Sequence, residues 1–308
     1  MLGLDIGGTK LAAGVVVGGR ATSFLVEPTD AGRGPEQGLE RLFALGRRAV
    51  GEAGLGPSPV AAVGIACGGP LDASRGVLVA PLHLPGWRDV PITALAEEAF
   101  GRPAVLENDA TAAAAGEHRY GAGAGTRTMV YLTISTGVGG GVVVDGRIHR
   151  GATGNAGELG HITVDWNGRP CRGCGRRGCL EAYVSGTSIA ERASEAGLEG
   201  ANAADVAIGA RAGEPIARAV WEETVAALAC GVTSIVNALE PELVVVGGGV
   251  SRVGEQLLRP VRERVRAEAM APSAATVGIV PAALGERVGV VGAAAIVHER
   301  AGDVATGA

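Results

Sequence analysis

The densest chemistry in this sequence lies between Gly154 and Glu181, GNAGELGHITVDWNGRPCRGCGRRGCLE. Cys171, Cys174 and Cys179 place three thiols within nine residues, and His161 stands ten residues upstream. One imidazole and three thiolates form a donor set for a closed tetrahedral zinc ion, which prefers sulfur and nitrogen. Such a site keeps no position open for substrate, so the zinc is expected to be structural, and a hydrolytic or redox centre ranks last. A metal-free thiol loop or a disulfide would explain one CxxC, but the third cysteine and the histidine favour metal. Cys67 and Cys230 sit in apolar surroundings, GIACGG and ALACGV, and read as small core residues. Glu158 and Glu181 bracket the cluster without being needed as ligands, so they are free to face something else.

Three glycine turns carry the second kind of chemistry. Asp5, Gly7, Gly8, Thr9 and Lys10 follow an apolar strand, and the backbone amides and Thr9 hydroxyl of such a turn can face an anion. Asp5 suits a hydrated magnesium ion beside phosphates. Thr136-Gly137-Val138-Gly139-Gly140-Gly141 repeats the pattern, and Gly247-Gly248-Gly249 ends a third strand, where bare backbone can lie against a base or ribose. GVGGG is not the dinucleotide fingerprint, because a strand and not a helix follows it. Asn108 and Asp109 stand where a strand delivers a helix; either could cap it, leaving the other as a base. Cys67-Gly68-Gly69-Pro70 is a further turn at a strand end.

The elements that hold these residues follow from periodicity. Strands are expected at Leu2–Ile6, Leu11–Val17, Val60–Ala66, Ala104–Leu106, Thr128–Ser135, Val142–Val144, Leu243–Val246 and Thr276–Val280. Helices are expected at Gly38–Ala53, Ile92–Phe100, from Ala110, and at Thr187–Ala196, Ala203–Ala212, Pro215–Leu239, Glu255–Met270 and Val288–Glu299. Pro81–Trp87, PLHLPGW, reads as a loop, and the tail from Ala301 as frayed. Two strand–turn–strand units, one early in each half, suggest a duplicated α/β architecture whose turns address one polyphosphate. The boundary falls near Glu117–Thr126, where GAGAG separates the halves.

Composition narrows the classes. At 308 residues the chain can form two packed domains, and no apolar run reaches bilayer length. A formal charge of −5 gives no general attraction to nucleic acid, and few aromatics argue against base stacking. The start MLGLDIGG carries no charged leader, and the odd cysteine count does not fit a disulfide framework, so a cytoplasmic protein is expected.

DIGGTK at 5–10, STGVGGG at 135–141, GNAGELGH at 154–161 and CGRRGCLE at 174–181, in this order, resemble the ROK family of sugar kinases and sugar-responsive regulators. PLHLPGW resembles a segment of its glucokinase-like members. The resemblance spans essentially the whole chain. It implies an actin-like ATPase (ribonuclease H-like) fold of two α/β domains around a cleft, residues 1–118 and 119–287, with helix 288–300 packing back on the first. It implies Asp109 as general base, and Gly69, Asn108, Glu158, His161 and Glu181 as sugar ligands. His161 would serve zinc with one nitrogen and sugar with the other. Asp5, Gly7, Gly8, Thr9, Lys10, Thr136, Gly137 and Gly248 would hold ATP and magnesium. One departure concerns Cys171: the family spacing has a single residue before the next cysteine, and here Arg172 and Gly173 intervene.

The expected function is an ATP-dependent hexose kinase, foremost a glucokinase acting on the 6-hydroxyl. N-acetylhexosamine or fructose kinases are the rivals within the family. A sugar-responsive DNA-binding regulator ranks lower, because the first strand begins at Leu2 and Asp109 with both phosphate turns is present. The partner is a small sugar, with no nucleic acid or membrane, and a homodimer or homotetramer is the family expectation.

Overall fold

The computed structural model describes residues 1–55 and 60–306, and side-chain burial through residue 300. The chain forms two compact units. One comprises Met1–Gly125, Arg147–Asn155 and Ala283–Ala308, the other Thr126–Gly146 and Ala156–Ala282.

In the first unit, Leu2–Ile6 pairs antiparallel with Lys10–Val17 and parallel with Val63–Cys67, which pairs parallel with Ala104–Asn108. Leu25–Pro28 adds to the far side of Lys10–Val17. The central strands are near-continuous apolar runs because both faces are covered. Register sets Cys67 opposite both Ile6 and Asn108, so three strands end along one edge of the sheet. That edge releases the Gly7-Gly8 turn, the Gly68-Gly69 turn and Asp109 side by side.

Leu2, Leu4 and Ile6 pack with Leu42, Phe43 and Leu45 of the helix Gly34–Glu52. This helix starts a turn earlier than its apolar spacing indicates, because Pro35 suits a first helical position. The alternate residues Gly3, Gly14 and Gly64 face the final helix. A Cβ at Gly3 would overlap the Val290 carbonyl, and one at Gly64 the Ala293 carbonyl. The final helix, Val288–Thr306, also meets Asp109–Tyr120 at backbone range, with Gly292 against Ala112 and Gly116. It runs through residues 301–306, which corrects the frayed tail expected there; 307 and 308 lie outside the described residues. Glu117, fully buried, accepts from the backbone amides of Ala122, Ala283 and Leu284 at 2.8, 3.1 and 2.8 Å, tying the entry to this helix to the Asp109 helix.

The second unit repeats the topology. Met129–Ile134 pairs antiparallel with Val138–Val144 and parallel with Leu243–Gly247, which pairs parallel with Gly278–Pro281. Gly139–Gly141 therefore belong to a strand and not to the turn expected there. Their lack of side chains serves close approach: a Cβ on Gly140 would come within 2.8 Å of the Gly157 carbonyl. The helix Pro215–Leu239 has the length and overall composition of a membrane span, although Arg218, Glu222 and Glu223 interrupt its apolar run. Val220, Trp221, Leu228 and Val232 bury it in the core of this unit. The short elements of this unit escaped the periodicity, namely the helices Glu181–Val184 and Ala271–Thr276 and the single turns Leu159–His161 and Val250–Val253.

The flush seating of the final helix gives a first test. Gly64→Ala forces a methyl into a backbone carbonyl that cannot rotate away, so a loss of about 1–3 kcal/mol or more is expected. Thermal unfolding read by circular dichroism checks it; an unchanged Tm would refute the packing argument.

Candidate functional site

In the first unit, Gly7 N–H bonds to the Lys10 carbonyl at 2.9 Å and closes the turn after Leu2–Ile6. Thr29 braces it, its hydroxyl donating to the Gly7 carbonyl at 2.6 Å and its N–H to the Thr9 carbonyl at 3.0 Å. Asp5, Gly7 and Gly8 are half-buried, whereas Thr9 and Lys10 are exposed. Asp5 points at the first turn of the final helix, where a Cβ on Gly289 would overlap its carboxylate. Burial, and then the charge of Asp109, push Asp5 up to about 7 against the pull of Lys10.

Asn108 and Asp109 divide their tasks. The Asn108 side-chain oxygen accepts from Ala110 N at 3.0 Å and Thr111 N at 3.2 Å, so Asn108 is the helix cap. Asp109 opens the helix and accepts from Ala110 N at 2.8 Å. Its residue surface is open to solvent on one side, yet protein crowds the carboxylate on the others. That desolvation raises its pKa, while the Ala110 N–H and the charge of His83 oppose the rise. Gly69 is half-buried at the neighbouring strand end.

In the second unit, Ser135 N–H bonds to the Gly137 carbonyl at 2.9 Å, which narrows the turn to Ser135–Gly137. Glu181 lies beneath it. Its carboxylate accepts from Val138 N at 2.9 Å, and a Cβ on Gly137 would stand 2.8 Å from the same oxygen. Gly248, with φ of 89°, fits against the Ile134 carbonyl, where any side chain would collide. Beside these residues a cavity of about 780 Å³ is lined by Thr136, Gly186, Ala207, Ile208, Gly249 and Val253 among others. Its lining mixes apolar and backbone positions with the polar side chains of Asn202, Arg211 and Gln256, which suits a heteroaromatic group with polar edges.

The cysteine loop gathers as its spacing indicates. The ligand atoms of His161, Cys171, Cys174 and Cys179 all lie within 4.8 Å of one another. Cys174 Sγ is 3.5 Å from Cys179 Sγ, and Cys171 Sγ is 3.6 Å from His161 Nδ1. Sulfurs about 2.3 Å from a tetrahedral zinc stand about 3.8 Å apart, so the four donors fit the ion closely. Cys171 belongs to the cluster despite the two-residue spacing. Burial and the hydrogen bond to Cys174 push the Cys179 thiol up to about 12. At exposed Cys174 desolvation pushes the thiol up, but hydrogen bonds from the Arg176 backbone and guanidinium and from Cys179 and Cys171 together hold it down at about 6. His161 points Nδ1 at Cys171 and Nε2 towards Glu158, 4.0 Å away. Metal on Nδ1 would fix the proton on Nε2. Glu181 joins the two features of this unit, with Oε1 3.5 Å from Cys171 Sγ and Oε2 on the glycine turn.

Three groups escaped the sequence reading. Glu107, buried directly before Asn108, pairs with Arg150 at 2.8 Å and lies 3.7 Å from Arg300. His83 places Nε2 3.3 Å from the Ile6 carbonyl and 3.9 Å from Cys67 Sγ. Tyr183 donates to Asp165 at 3.0 Å and accepts from Arg169 N at 3.1 Å, closing the base of the cysteine loop. Only His83, inside PLHLPGW, had a signal in the sequence; the others are defined by partners distant in the chain.

Two α/β units of one topology, each with a glycine turn after its first strand, define the actin-like ATPase fold, here with a Cys3His cluster suited to a structural zinc. The ROK family model matches residues 1–300, and the chain belongs to the ROK family. It is 36% identical over 317 residues to a glucokinase from Thermotoga maritima, covering 98% of each chain. The ROK hexokinase of Thermus thermophilus superposes with a TM-score of 0.85 at 40% identity, covering 98% of this chain and 99% of that one. A ROK family glucokinase from Streptomyces griseus, solved with glucose and AMPPNP, gives 0.78 at 35% identity, covering 96% and 98%.

The cysteine cluster yields a test of its own. Purified protein should carry about one zinc per chain, and Cys179→Ser should lose it because a hydroxyl replaces a buried thiolate. Metal analysis and limited proteolysis of the loop check this; full zinc content in the variant would refute the ligand set.

Proposed function

We infer that the chain is an ATP-dependent glucokinase that transfers the γ-phosphoryl group to the 6-hydroxyl of glucose. The observation that carries the reading is near-full-length similarity to glucokinases, one of them holding glucose with a nucleotide analogue. Phosphoryl transfer needs mainly positioning and charge neutralisation, and a turn of backbone amides supplies both. Asp109 is the general base. Its carboxylate is not the helix cap, and desolvation raises its affinity for a proton, as accepting one from a sugar hydroxyl requires.

Asn108 serves the sugar with the amide nitrogen that capping leaves over, and Gly69 lies beside it. Glu158, His161 and Glu181 are the further sugar ligands. With zinc on Nδ1, His161 offers a fixed N–H donor, and Glu158 and Glu181 accept from hydroxyls. A polyol missing one of these hydroxyls leaves a polar group unpaired, which is the basis of discrimination. Gly7, Gly8, Thr9, Lys10, Thr136, Gly137 and Gly248 hold the nucleotide, with its base in the cavity beside Gly249. Asp5 is the residue to face magnesium, whose charge would offset the cost of ionising a half-buried carboxylate.

Substrate class is tested by ADP release with magnesium-ATP against glucose, mannose, fructose, N-acetylglucosamine and N-acetylmannosamine. Glucose should give the highest kcat/KM; a preference for an acetamido sugar would overturn the glucokinase reading. Asp109→Asn should lower kcat by about 10²–10⁴ with glucose binding retained. Because the Asp109 pKa is raised and the base must be ionised, kcat/KM should fall on the acid side from a pH above the ordinary carboxylate range. Asp5 gives a signed stability test. Its folded pKa of about 7 lies above that of an unfolded aspartate, so stability is lost as pH rises from the ordinary carboxylate range to about 7 and the full cost is present at pH 8. Asp5→Asn should therefore raise Tm at pH 8 while abolishing turnover; a lowered Tm would refute the burial argument.

A further inference from the structure

The loop Pro81–Trp87 has no part in the roles assigned so far, yet it touches both turns of the first unit. Leu84 and Trp87, each 1% exposed, anchor it in the core, with the Trp87 ring against Gly38. Leu82 N–H bonds to the Gly69 carbonyl at 3.2 Å, which ties the loop to the turn on the sugar side. Between these anchors the half-buried His83 projects its ring onto the end of the sheet.

The ring fills a slot defined by glycines. A Cβ on Gly68 would stand 2.6 Å from His83 Cε1, and one on Gly8 would stand 3.0 Å from His83 Cβ. Nε2 lies 3.3 Å from the Ile6 carbonyl, an acceptor, so Nε2 carries the proton. Ile6 leads into the Gly7-Gly8 turn, and Gly68 adjoins Gly69. One imidazole thus separates the phosphate turn from the sugar-side turn and is bonded to the strand between them.

We propose that His83 is a positioning residue that couples the two turns, so that nucleotide on Gly7-Gly8 and hexose beside Gly68-Gly69 favour each other's binding. The inference rests on the kinase reading above. A wedge packed against both turns lets neither settle independently, so ordering one turn removes part of the cost of ordering the other. Among the described residues the titratable groups that meet the ring are Cys67, whose Sγ is 3.9 Å from Nε2, and Asp109, whose charge it feels, and the coupling requires neither to change protonation.

The test is a linkage measurement on the full chain. Glucose affinity is measured by calorimetry with and without saturating AMPPNP, in wild type, His83→Gln, His83→Asn and His83→Ala. In wild type AMPPNP should tighten glucose binding at least about fivefold, the lower end of ordinary coupling. His83→Gln, whose amide donor can reach the Ile6 carbonyl, should retain most of this factor. His83→Asn and His83→Ala should bring it to within about twofold of unity while each ligand alone still binds, as linkage permits. Thermal unfolding verifies that at least one short variant is folded. Undiminished coupling in folded His83→Asn or His83→Ala, or none in an active wild type, overturns the proposal. A wild type that neither binds glucose nor releases ADP with it would overturn the kinase reading itself.

Discussion

The geometry of the first unit depends on a contact that involves almost no side chains. The final helix lies on the sheet with Val290 and Ala293 carbonyls pressed against Gly3 and Gly64, and crosses the Asp109 helix at Gly116 and Gly292. Backbone-to-backbone seating leaves little slack, because a protein interior accommodates an added methyl only by displacing its neighbours. The same helix turns Gly289 towards Asp5, so its position fixes the room around that carboxylate. Glu117 secures the arrangement with three backbone hydrogen bonds from two connecting segments.

Electrostatics then follow from packing. Asp5 and Asp109 are crowded at the same sheet edge, and burial is the leading reason that both resist ionisation. Among the described residues neither is relieved by an ion pair comparable to that of Glu107, directly before Asn108, with Arg150. Burial favours the neutral form of each, so any cation brought close would shift them back towards the ionised form. In the second unit one carboxylate, Glu181, serves two features. It is anchored by Val138 N and set beside Cys171, so the cysteine loop and the glycine turn share one carboxylate.

Much of this was written locally in the sequence. The Cys3His donors, both strand–turn–strand units and the Asn108-Asp109 junction lie within short windows, where spacing alone carries the geometry. The residues that escaped are those whose meaning lies in a distant partner. Glu107 becomes an ion pair only when Arg150 arrives, and His83 becomes a wedge only when Gly8 and Gly68 converge on it. Glycine misled in one place. Gly139–Gly141 look like a turn, and they are strand because Gly157 needs to pass close by. Bare backbone serves both purposes, and only the neighbour distinguishes them.

The seating of the final helix has a consequence for how the chain is made. The strands of the first sheet lie in the first 108 residues, but the helix that covers Gly3, Gly14 and Gly64 begins at Val288. A ribosome synthesising from the N-terminus therefore releases the whole second unit before the first can close. Through that interval Ala12 and Val16, which pack with Val290 and Val291 in the finished fold, remain uncovered. Contacts so distant in sequence form slowly, and an uncovered sheet face attracts other chains. The last helix to emerge thus sets the pace at which an association-prone intermediate is removed.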